Sequence, residues 1–226
     1  QSLLGLAKLT LELGEHRKAN EYAKKVLAIN PDTIDAYRIL VAVATREQGL
    51  DTAEEILLKA KSKVVGNLNS EIEVLKSLAI IYRHKQQVKK LVPFAKELNS
   101  RYKDNLQALS YQVGVQLENN NLQGAEKNLR KIIVKAPDDV MHILVLANLL
   151  EVQNKDLAEA VKLFDHAIMV AADPGMAMGY KATSLIKHKR YIQASALIME
   201  IERLYPKLNV GKVLKGDLFF AEKKYK

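Results

Sequence analysis

Histidine is the side chain in this sequence best suited to metal binding or to acid–base catalysis near neutral pH. The chain has five histidines and no cysteine among its 226 residues. The histidines are spread along the whole sequence, as His16, His84, His142, His166 and His188. None belongs to an H-E-x-x-H motif or to another pair with metal-ligand spacing. The sequence therefore predicts no metal site and no bound cofactor.

The motifs that mark common enzyme sites are also missing from the sequence. It has no glycine-rich phosphate-binding loop and no G-x-S-x-G nucleophile motif. The acidic pairs Glu54-Glu55 and Asp138-Asp139 have a plainer interpretation, because carboxylates in the first turn of a helix complement its dipole. The absence of cysteine excludes disulfides and thiol nucleophiles. We therefore expect a chain without enzymatic activity.

Composition favours a helical chain with a large apolar core and excess positive charge. Hydrophobic residues make up 48% of the sequence, and only 10 Gly and 5 Pro leave little room for loops. No apolar run approaches the roughly 18 residues that a membrane-spanning helix needs. The net charge of +9 raises nucleic acid as an alternative partner. However, the basic residues have solvent-facing helical spacings and no clustered Arg and aromatic pattern, which argues against nucleic acid.

A recurring small residue divides the sequence into units of similar length. The recurring positions are Ala19, Ala53, Leu91, Ala125, Ala160 and Ala194, separated by 34, 38, 34, 35 and 34 residues. A fixed period in this range indicates an array in which each unit is one supersecondary element. Apolar residues recur with i, i+3, i+4, i+7 spacing on both sides of each turn, which predicts two amphipathic helices per unit. The fold class predicted is all-α.

Glycine and proline mark where these helices end. Gly14 suits the left-handed position that closes a helix, and Pro31 lies where the second helix must stop. The longer interval of 38 residues is attributed to four extra residues around 65–69, which are expected to lengthen the exit of the second unit. Pro93 is predicted in the first turn of its helix, where a missing N–H costs nothing.

Small residues are also predicted where the two helices of a unit cross. A small side chain there lets the first helix approach its partner closely, and the periodic alanine meets it from the second helix. Large side chains at both places would push the helices apart. The predicted crossing residues are Ala7, Ala79, Gly114, Ala147, Ala182 and Gly216.

The pattern resembles the tetratricopeptide repeat (TPR), in which helix A carries a large residue, Leu, Gly/Ala and Tyr, and helix B carries Ala, Phe, Ala and Pro. The matching residues are Tyr37, Leu40, Ala53, Phe164, Ala167, Gly216 and Tyr225, with Pro31, Pro137 and Pro206 at the closing proline position. The resemblance covers the whole chain and implies a right-handed α–α superhelical solenoid. We expect one solenoid over 1–226, part of a longer array. Its repeats are 1–33, 34–70, 71–104, 105–138, 139–174 and 175–207, with a terminal half-repeat 208–226.

In this family, ligands usually contact helix A positions on the concave face of the solenoid. The resemblance assigns this role to Arg38, Arg46, Lys76, Arg83 and Tyr111. Arginine forks beside an aromatic side chain suit an acidic or extended peptide, through charge-assisted hydrogen bonds. Ala42 replaces the asparagine of the family's carboxylate clamp, so capture of a C-terminal carboxylate is not expected. The resemblance thus implies a non-catalytic scaffold for a protein or peptide partner.

The C-terminal stretch has a second, weaker resemblance, to bacterial cell-envelope TPR arrays such as lipoproteins of exopolysaccharide export and PEP-CTERM sorting systems. The residues that carry it are Leu204-Tyr205-Pro206, Lys215-Gly216-Asp217-Leu218 and Lys223-Lys224-Tyr225. It implies a location in the bacterial periplasm or at the outer membrane, with export machinery as the partner. The last helix is also expected to expose Val213, Phe219 and Phe220, which leaves self-association of the array as another alternative.

Overall fold

The computed structural model describes residues 2–153, 155–207 and 209–222, and within these ranges every regular element is a helix. The described residues form thirteen α-helices and one short 3-10 helix, with no strand among them. They fall into two compact units, Gln1–Asn121 (unit 1) and Leu122–Lys226 (unit 2). The predicted all-α repeat fold is therefore confirmed. None of these helices is both long and apolar enough to cross a membrane.

Unit 1 consists of seven helices in which helix A and helix B of each repeat alternate. They are α1 (Leu3–Glu12), α2 (His16–Ile29), α3 (Ile34–Glu47), α4 (Leu50–Lys63), α5 (Leu68–His84), α6 (Leu91–Arg101) and α7 (Leu106–Glu118). The odd-numbered helices are the A helices. Each helix packs against the next along the chain, and each A helix also packs against the following A helix. This arrangement places consecutive A helices side by side.

Unit 2 continues the alternation with six helices. They are α8 (Leu122–Lys135), α9 (Val140–Val152), α10 (Leu157–Val170), α11 (Gly175–Lys187), α12 (Tyr191–Leu204) and α13 (Val210–Ala221). Here too the odd-numbered helices are A helices, and α11 packs against both α9 and α13. The residues Lys223-Lys224-Tyr225, on which part of the envelope resemblance rests, lie outside the described residues.

The periodic small residues form the centre of the core in both units. Ala19, Ala53, Leu91, Ala125, Ala160 and Ala194 are all 0% exposed. Around them pack the larger apolar side chains of the same repeat, such as Leu57 in unit 1 and Phe164 in unit 2. Five of the six are alanine, whose methyl side chain lets neighbouring helices approach closely. The third repeat accommodates the larger side chain of Leu91 at the same position.

Five of the turns between helix A and helix B contain a left-handed backbone residue. Gly14 has φ 76° and Gly49 has φ 92°, as glycine permits. Where the repeat lacks the glycine, Gln86, Asn120 and Lys189 adopt φ values of 55°, 55° and 59°. A non-glycine residue in this region costs about 1 kcal/mol, so the repeat geometry is kept even against local preference. The three asparagines 119–121 form the turn between α7 and α8.

The extra residues of the second repeat do not lengthen its exit as predicted. Helix α5 begins at Leu68 and has 17 residues, so the insertion mainly adds a turn to the N-terminus of α5. Glu71 in this added turn is buried and accepts hydrogen bonds from the Gly66 N–H and the Tyr102 hydroxyl. These bonds explain why the insertion becomes helix rather than loop. Pro93 is the third residue of α6, in its first turn as predicted.

The two glycines predicted at helix crossings, Gly114 and Gly216, do not lie at a crossing. Ala7, Ala79, Ala147 and Ala182 are buried as expected. By contrast, Gly114 and Gly216 are exposed, and a Cβ atom added to either would meet no heavy atom within 4 Å. No close helix approach therefore depends on these two residues. In α7 the neighbouring Val113 is buried instead.

Candidate functional site

The five predicted partner-binding residues lie on three consecutive A helices of unit 1. Arg38 and Arg46 lie on α3, Lys76 and Arg83 on α5, and Tyr111 on α7. The four basic side chains are exposed, whereas Tyr111 is only partly exposed. Because α3 packs on α5 and α5 on α7, the repeat brings these helices together. We call the exposed side chains of α3 and α5 at Arg38, Arg46, Lys76, Ile80 and Arg83 the A face of unit 1.

A row of ion pairs joins the first three A helices. Lys8 Nζ of α1 lies 2.6 Å from Asp35 Oδ2 of α3. Arg38 Nη2 lies 2.5 Å from Glu73 Oε2 of α5, and Lys76 Nζ lies 3.1 Å from the other oxygen of Glu73. The hydrogen bond from Lys76, with Arg38 beside it, holds the pKa of Glu73 below its ordinary value. Arg38 and Lys76 thus already have a carboxylate partner.

Arg83 and Tyr111 are also engaged within unit 1. The Arg83 guanidinium donates hydrogen bonds to a single oxygen of Glu118 on α7. The Tyr111 hydroxyl donates to the Leu75 carbonyl at 3.2 Å, and its ring packs against the core. Burial raises the pKa of the Tyr111 hydroxyl above its ordinary value. The aromatic side chain therefore helps to fix α7 on α5.

Arg46 differs from the other predicted residues. It lies in the last turn of α3 with its side chain exposed, and no described residue forms an ion pair or hydrogen bond with its guanidinium. On the neighbouring A helix, Ile80 is 55% exposed between Lys76 and Arg83. The A face of unit 1 therefore combines one unpaired cation, several paired charges and an exposed aliphatic side chain.

The acidic partners on this face were missed by the sequence prediction, although the sequence contains a signal for them. Arg38 and Glu73 are 35 residues apart, and so are Arg83 and Glu118. For Arg83 and Glu118 this separation is within one residue of the 34-residue interval between Leu91 and Ala125. For Arg38 and Glu73 it is three residues shorter than the 38-residue interval between Ala53 and Leu91. Each pair thus places opposite charges at nearby positions of consecutive A helices. Counting charges within each repeat alone hides this pattern.

The A helices of unit 2 present a different surface. Met141 and Val152 of α9 are exposed, as are Met176 and Tyr180 of α11. Met176 lies 35 residues after Met141, which is about one repeat. This apolar surface, which we call the A face of unit 2, was not predicted from the sequence.

A buried carboxylate joins α9 to α11 beneath this surface. Glu151 is 5% exposed and accepts a hydrogen bond from the Ser184 hydroxyl. His188 Nε2 lies 3.1 Å from the same Glu151 oxygen. A serine nucleophile would need the imidazole between the hydroxyl and the carboxylate, whereas here the carboxylate lies between the other two. This cluster therefore connects helices rather than activating a nucleophile. Within the described ranges, no three acidic or histidine side chains are grouped as metal ligands.

Glu54 does not have the role predicted for it. It is a buried residue of α4 whose carboxylate receives hydrogen bonds from Lys85 and from Lys90, the latter at 3.0 Å. Burial opposes its ionisation, but the hydrogen bonds from Lys85, Lys90 and Tyr82 outweigh burial and hold the pKa of Glu54 below its ordinary value. Burial, together with this carboxylate, raises the pKa of Tyr82 to about 12. Asp139, by contrast, caps the start of α9 as expected.

The last helix exposes the apolar side chains that the sequence predicts. Val213, Phe219 and Phe220 are all exposed on α13. A shallow groove of about 280 Å³ lies between α12 and α13 and is lined by Ile198, Leu218 and Phe219 among others. The exposure is confirmed, while self-association through this end stays a prediction.

A scan against protein-family models and a search of curated proteins both give no match. Solved structures do match. A tetratricopeptide repeat protein from Parabacteroides merdae has a TM-score of 0.66 at 18% identity, over 98% of this chain and 86% of that one. PilF of Pseudomonas aeruginosa has a TM-score of 0.58 at 17% identity, over 95% and 96% of the two chains. YrrB, described as a TPR protein with an unusual peptide-binding site, has a TM-score of 0.52 at 15% identity, over 77% and 88%. These likenesses confirm the TPR fold.

Proposed function

We propose that this chain is a non-catalytic scaffold that binds a protein or peptide partner on the A face of unit 1. The observation that carries the proposal is the pre-formed row of exposed side chains on two adjacent helices, α3 and α5. A surface of this kind is suited to an extended segment or a helix, because it does not have to be ordered on binding. The TPR fold supports the same class of function.

The charges of this face indicate the chemistry of the partner. Arg46 is exposed and forms no ion pair among the described residues, so it can donate hydrogen bonds to a partner carboxylate without breaking an existing pair. Ile80 offers an apolar contact on the adjacent helix. The partner segment we propose is therefore acidic, with at least one apolar side chain.

We extend the proposal to a bacterial envelope location, with export machinery as the partner. Support for this finer statement comes from the C-terminal residues Leu204-Tyr205-Pro206 and Lys215-Gly216-Asp217-Leu218. Fractionation of cells that express the natural protein tests it directly. Recovery in the periplasmic or outer-membrane fraction is expected, and recovery with the cytoplasm would reject the envelope role without affecting the binding proposal.

Selection of a random peptide library on the immobilised chain tests the binding function. Recovered peptides should be enriched in Asp and Glu. Their affinity should fall about tenfold or more for Arg46→Glu, because an attraction is replaced by a repulsion. Lys63→Glu is the matched control, since Lys63 is an exposed, unpaired cation on helix α4, away from this face.

Two results would contradict the proposal. Equal losses in Arg46→Glu and Lys63→Glu would show that only overall charge matters. Retention of the chain on a DNA duplex at physiological salt, with no peptide enrichment, would favour the nucleic-acid alternative instead. Unchanged melting temperatures of both variants ensure that the comparison is made on folded protein.

A further inference from the structure

In two repeats, the residue that follows the periodic alanine forms a polar connection to the next repeat. At the same position the third, fifth and sixth repeats have Val92, Val161 and Ser195. In unit 1, Glu54 follows Ala53 and is bonded by Lys85, at the end of the next A helix. In unit 2, Glu126 accepts a hydrogen bond from Lys155 at 2.7 Å, and Gln153 lies 3.4 Å from the same oxygen. Gln153 directly follows the next A helix, α9, and Lys155 lies two residues further on. Glu126 also accepts hydrogen bonds from Arg130 on its own helix. In each case a helix B carboxylate is tied to the end of the following A helix.

In the first repeat, the residues at the corresponding positions do not form this connection. Asn20 follows Ala19, and Gln48 is the residue directly after the next A helix, α3. The Asn20 Oδ1 atom is buried and has no hydrogen-bond partner. One turn earlier, His16 Nδ1 is also buried without a hydrogen bond, and its nearest acidic atom, Glu47 Oε1, is 3.9 Å away. This distance is too long for a hydrogen bond.

A groove lies at this position and is lined by both Asn20 and Gln48. It has a volume of about 480 Å³ and lies between α2, α3 and α4. This size falls in the range of ligand-binding clefts, about 300–1,000 Å³. Its apolar lining comes from Leu27, Tyr37, Leu40, Ala44 and Ile56, and its polar lining includes Asn20, Lys24, Gln48 and Lys59.

The charges at the groove are of one sign. Lys24 on α2 and Lys59 on α4 are both exposed, and neither ammonium group has an ion-pair partner among the described residues. The groove thus offers apolar contact area and two unpaired cations. A complementary ligand has an aliphatic side chain and a carboxylate, and a peptide segment supplies both.

We propose that this groove is a second binding site, for a partner segment with an aliphatic side chain followed by an acidic residue. The aliphatic side chain packs against Leu27, Leu40 and Ile56. The carboxylate lies between the ammonium groups of Lys24 and Lys59. The site uses residues other than those of the A face of unit 1, so each site can fail without the other.

An amide NMR titration of the whole chain with the capped peptide acetyl-Gly-Leu-Leu-Glu-Glu-amide tests the proposal. Saturable shifts are expected at the amides around Asn20, Lys24, Gln48 and Lys59. The isostere acetyl-Gly-Leu-Leu-Gln-Gln-amide should bind at least about tenfold more weakly. Lys24→Glu and Lys59→Glu should each weaken binding about tenfold, whereas Lys63→Glu, on the same helix as Lys59 but outside the groove, should not.

A sealing variant provides a second, independent readout. Asn20→Glu combined with Gln48→Lys reproduces the Glu54–Lys85 pair in the first repeat. This double variant should melt at the same temperature or higher, should abolish peptide shifts in the groove, and should keep the affinity of Arg46-dependent peptides unchanged. Equal binding of the two peptides, absence of saturable shifts in the groove, or undiminished binding by the folded sealed variant would overturn the proposal.

Discussion

The two units join their A helices by different chemistry. In unit 1 the connections are exposed ion pairs, Arg38 with Glu73 and Arg83 with Glu118. In unit 2 the connection is the buried carboxylate of Glu151, and the exposed surface above it is apolar. Exposed pairs contribute little to stability, whereas a buried carboxylate cannot lose its partners cheaply. The same repeat fold therefore accommodates two kinds of contact between A helices. One is an exposed ion pair that a partner can replace, and the other is a buried polar contact that the fold requires.

This difference bears on function, because a partner can compete for an exposed charge. Glu73 and Glu118 occupy basic groups that an acidic partner would otherwise contact. Displacing them costs little, so the binding that we propose for the A face of unit 1 does not require the fold to change. Replacing the bonds of Glu151 would instead disrupt the packing of α9 on α11.

The largest effect is expected for Glu151→Ala. The substitution leaves the buried Ser184 hydroxyl without its acceptor and removes the partner of His188, so unit 2 should lose about 2–3 kcal/mol of unfolding free energy. Urea unfolding followed by circular dichroism measures the loss. The matched substitution on the exposed surface is Glu73→Ala, for which less than about 1 kcal/mol is expected. Equal losses of unfolding free energy in the two variants would contradict the distinction between the two units.

A smaller loss of stability, shared by both units, is expected at acidic pH. The pKa values of Glu54 and Glu126 are held below the ordinary 4.5. A carboxyl with a lowered pKa in the folded state stabilises the fold above its ordinary pKa, and this stability is lost as the pH falls through the lowered value. Stability should therefore decline below about pH 4.5. Glu54→Gln should cost about 1–2 kcal/mol at neutral pH and should make the acid decline of unit 1 shallower.

Urea unfolding at a series of pH values checks this expectation. Glu126→Gln provides the comparison in unit 2, because Lys155 and Arg130 hold its carboxylate in a similar way. An acid decline that is identical in the wild type and in both variants would show that other carboxylates determine the pH dependence.

The smallest effect on stability should be the most informative about function. Glu73→Gln removes the charge that neutralises Arg38 and Lys76, and it should cost only about 0.5 kcal/mol because the pairs are exposed. The released cations should raise the affinity for acidic peptides by about two- to threefold. Titration calorimetry of Glu73→Gln and the wild type measures the gain. A loss of affinity would indicate that Glu73 itself contacts the partner.

Much of the fold follows from the sequence because each repeat encodes its own pair of helices. The period placed the buried alanines correctly, and Gly14 and Pro93 marked their turns. The error in α7 was one of register. Val113 lies 12 residues before Ala125, the same interval as in three other repeats, whereas Gly114 lies 11 residues before it. A shift of one residue rotates a side chain by about 100° around the helix axis, so Val113 is buried in place of Gly114.

The candidate site was predicted less completely than the fold. The basic residues of α3 and α5 are exposed as expected, but which of them are unpaired depends on acidic residues one repeat away. The hydrogen bond from Tyr111 to α5 and the groove beside Asn20 both depend on packing between helices. Periodicity within one helix does not report such packing.

The most direct test is amide NMR mapping of an acidic peptide recovered from the library selection. If the peptide binds to the A face of unit 1, the largest shifts will lie on α3 and α5, around Arg46, Ile80 and Arg83, and they will disappear in Arg46→Glu. Shifts concentrated on α9 and α11, around Met141 and Tyr180, would contradict this assignment and would make the apolar A face of unit 2 the binding surface.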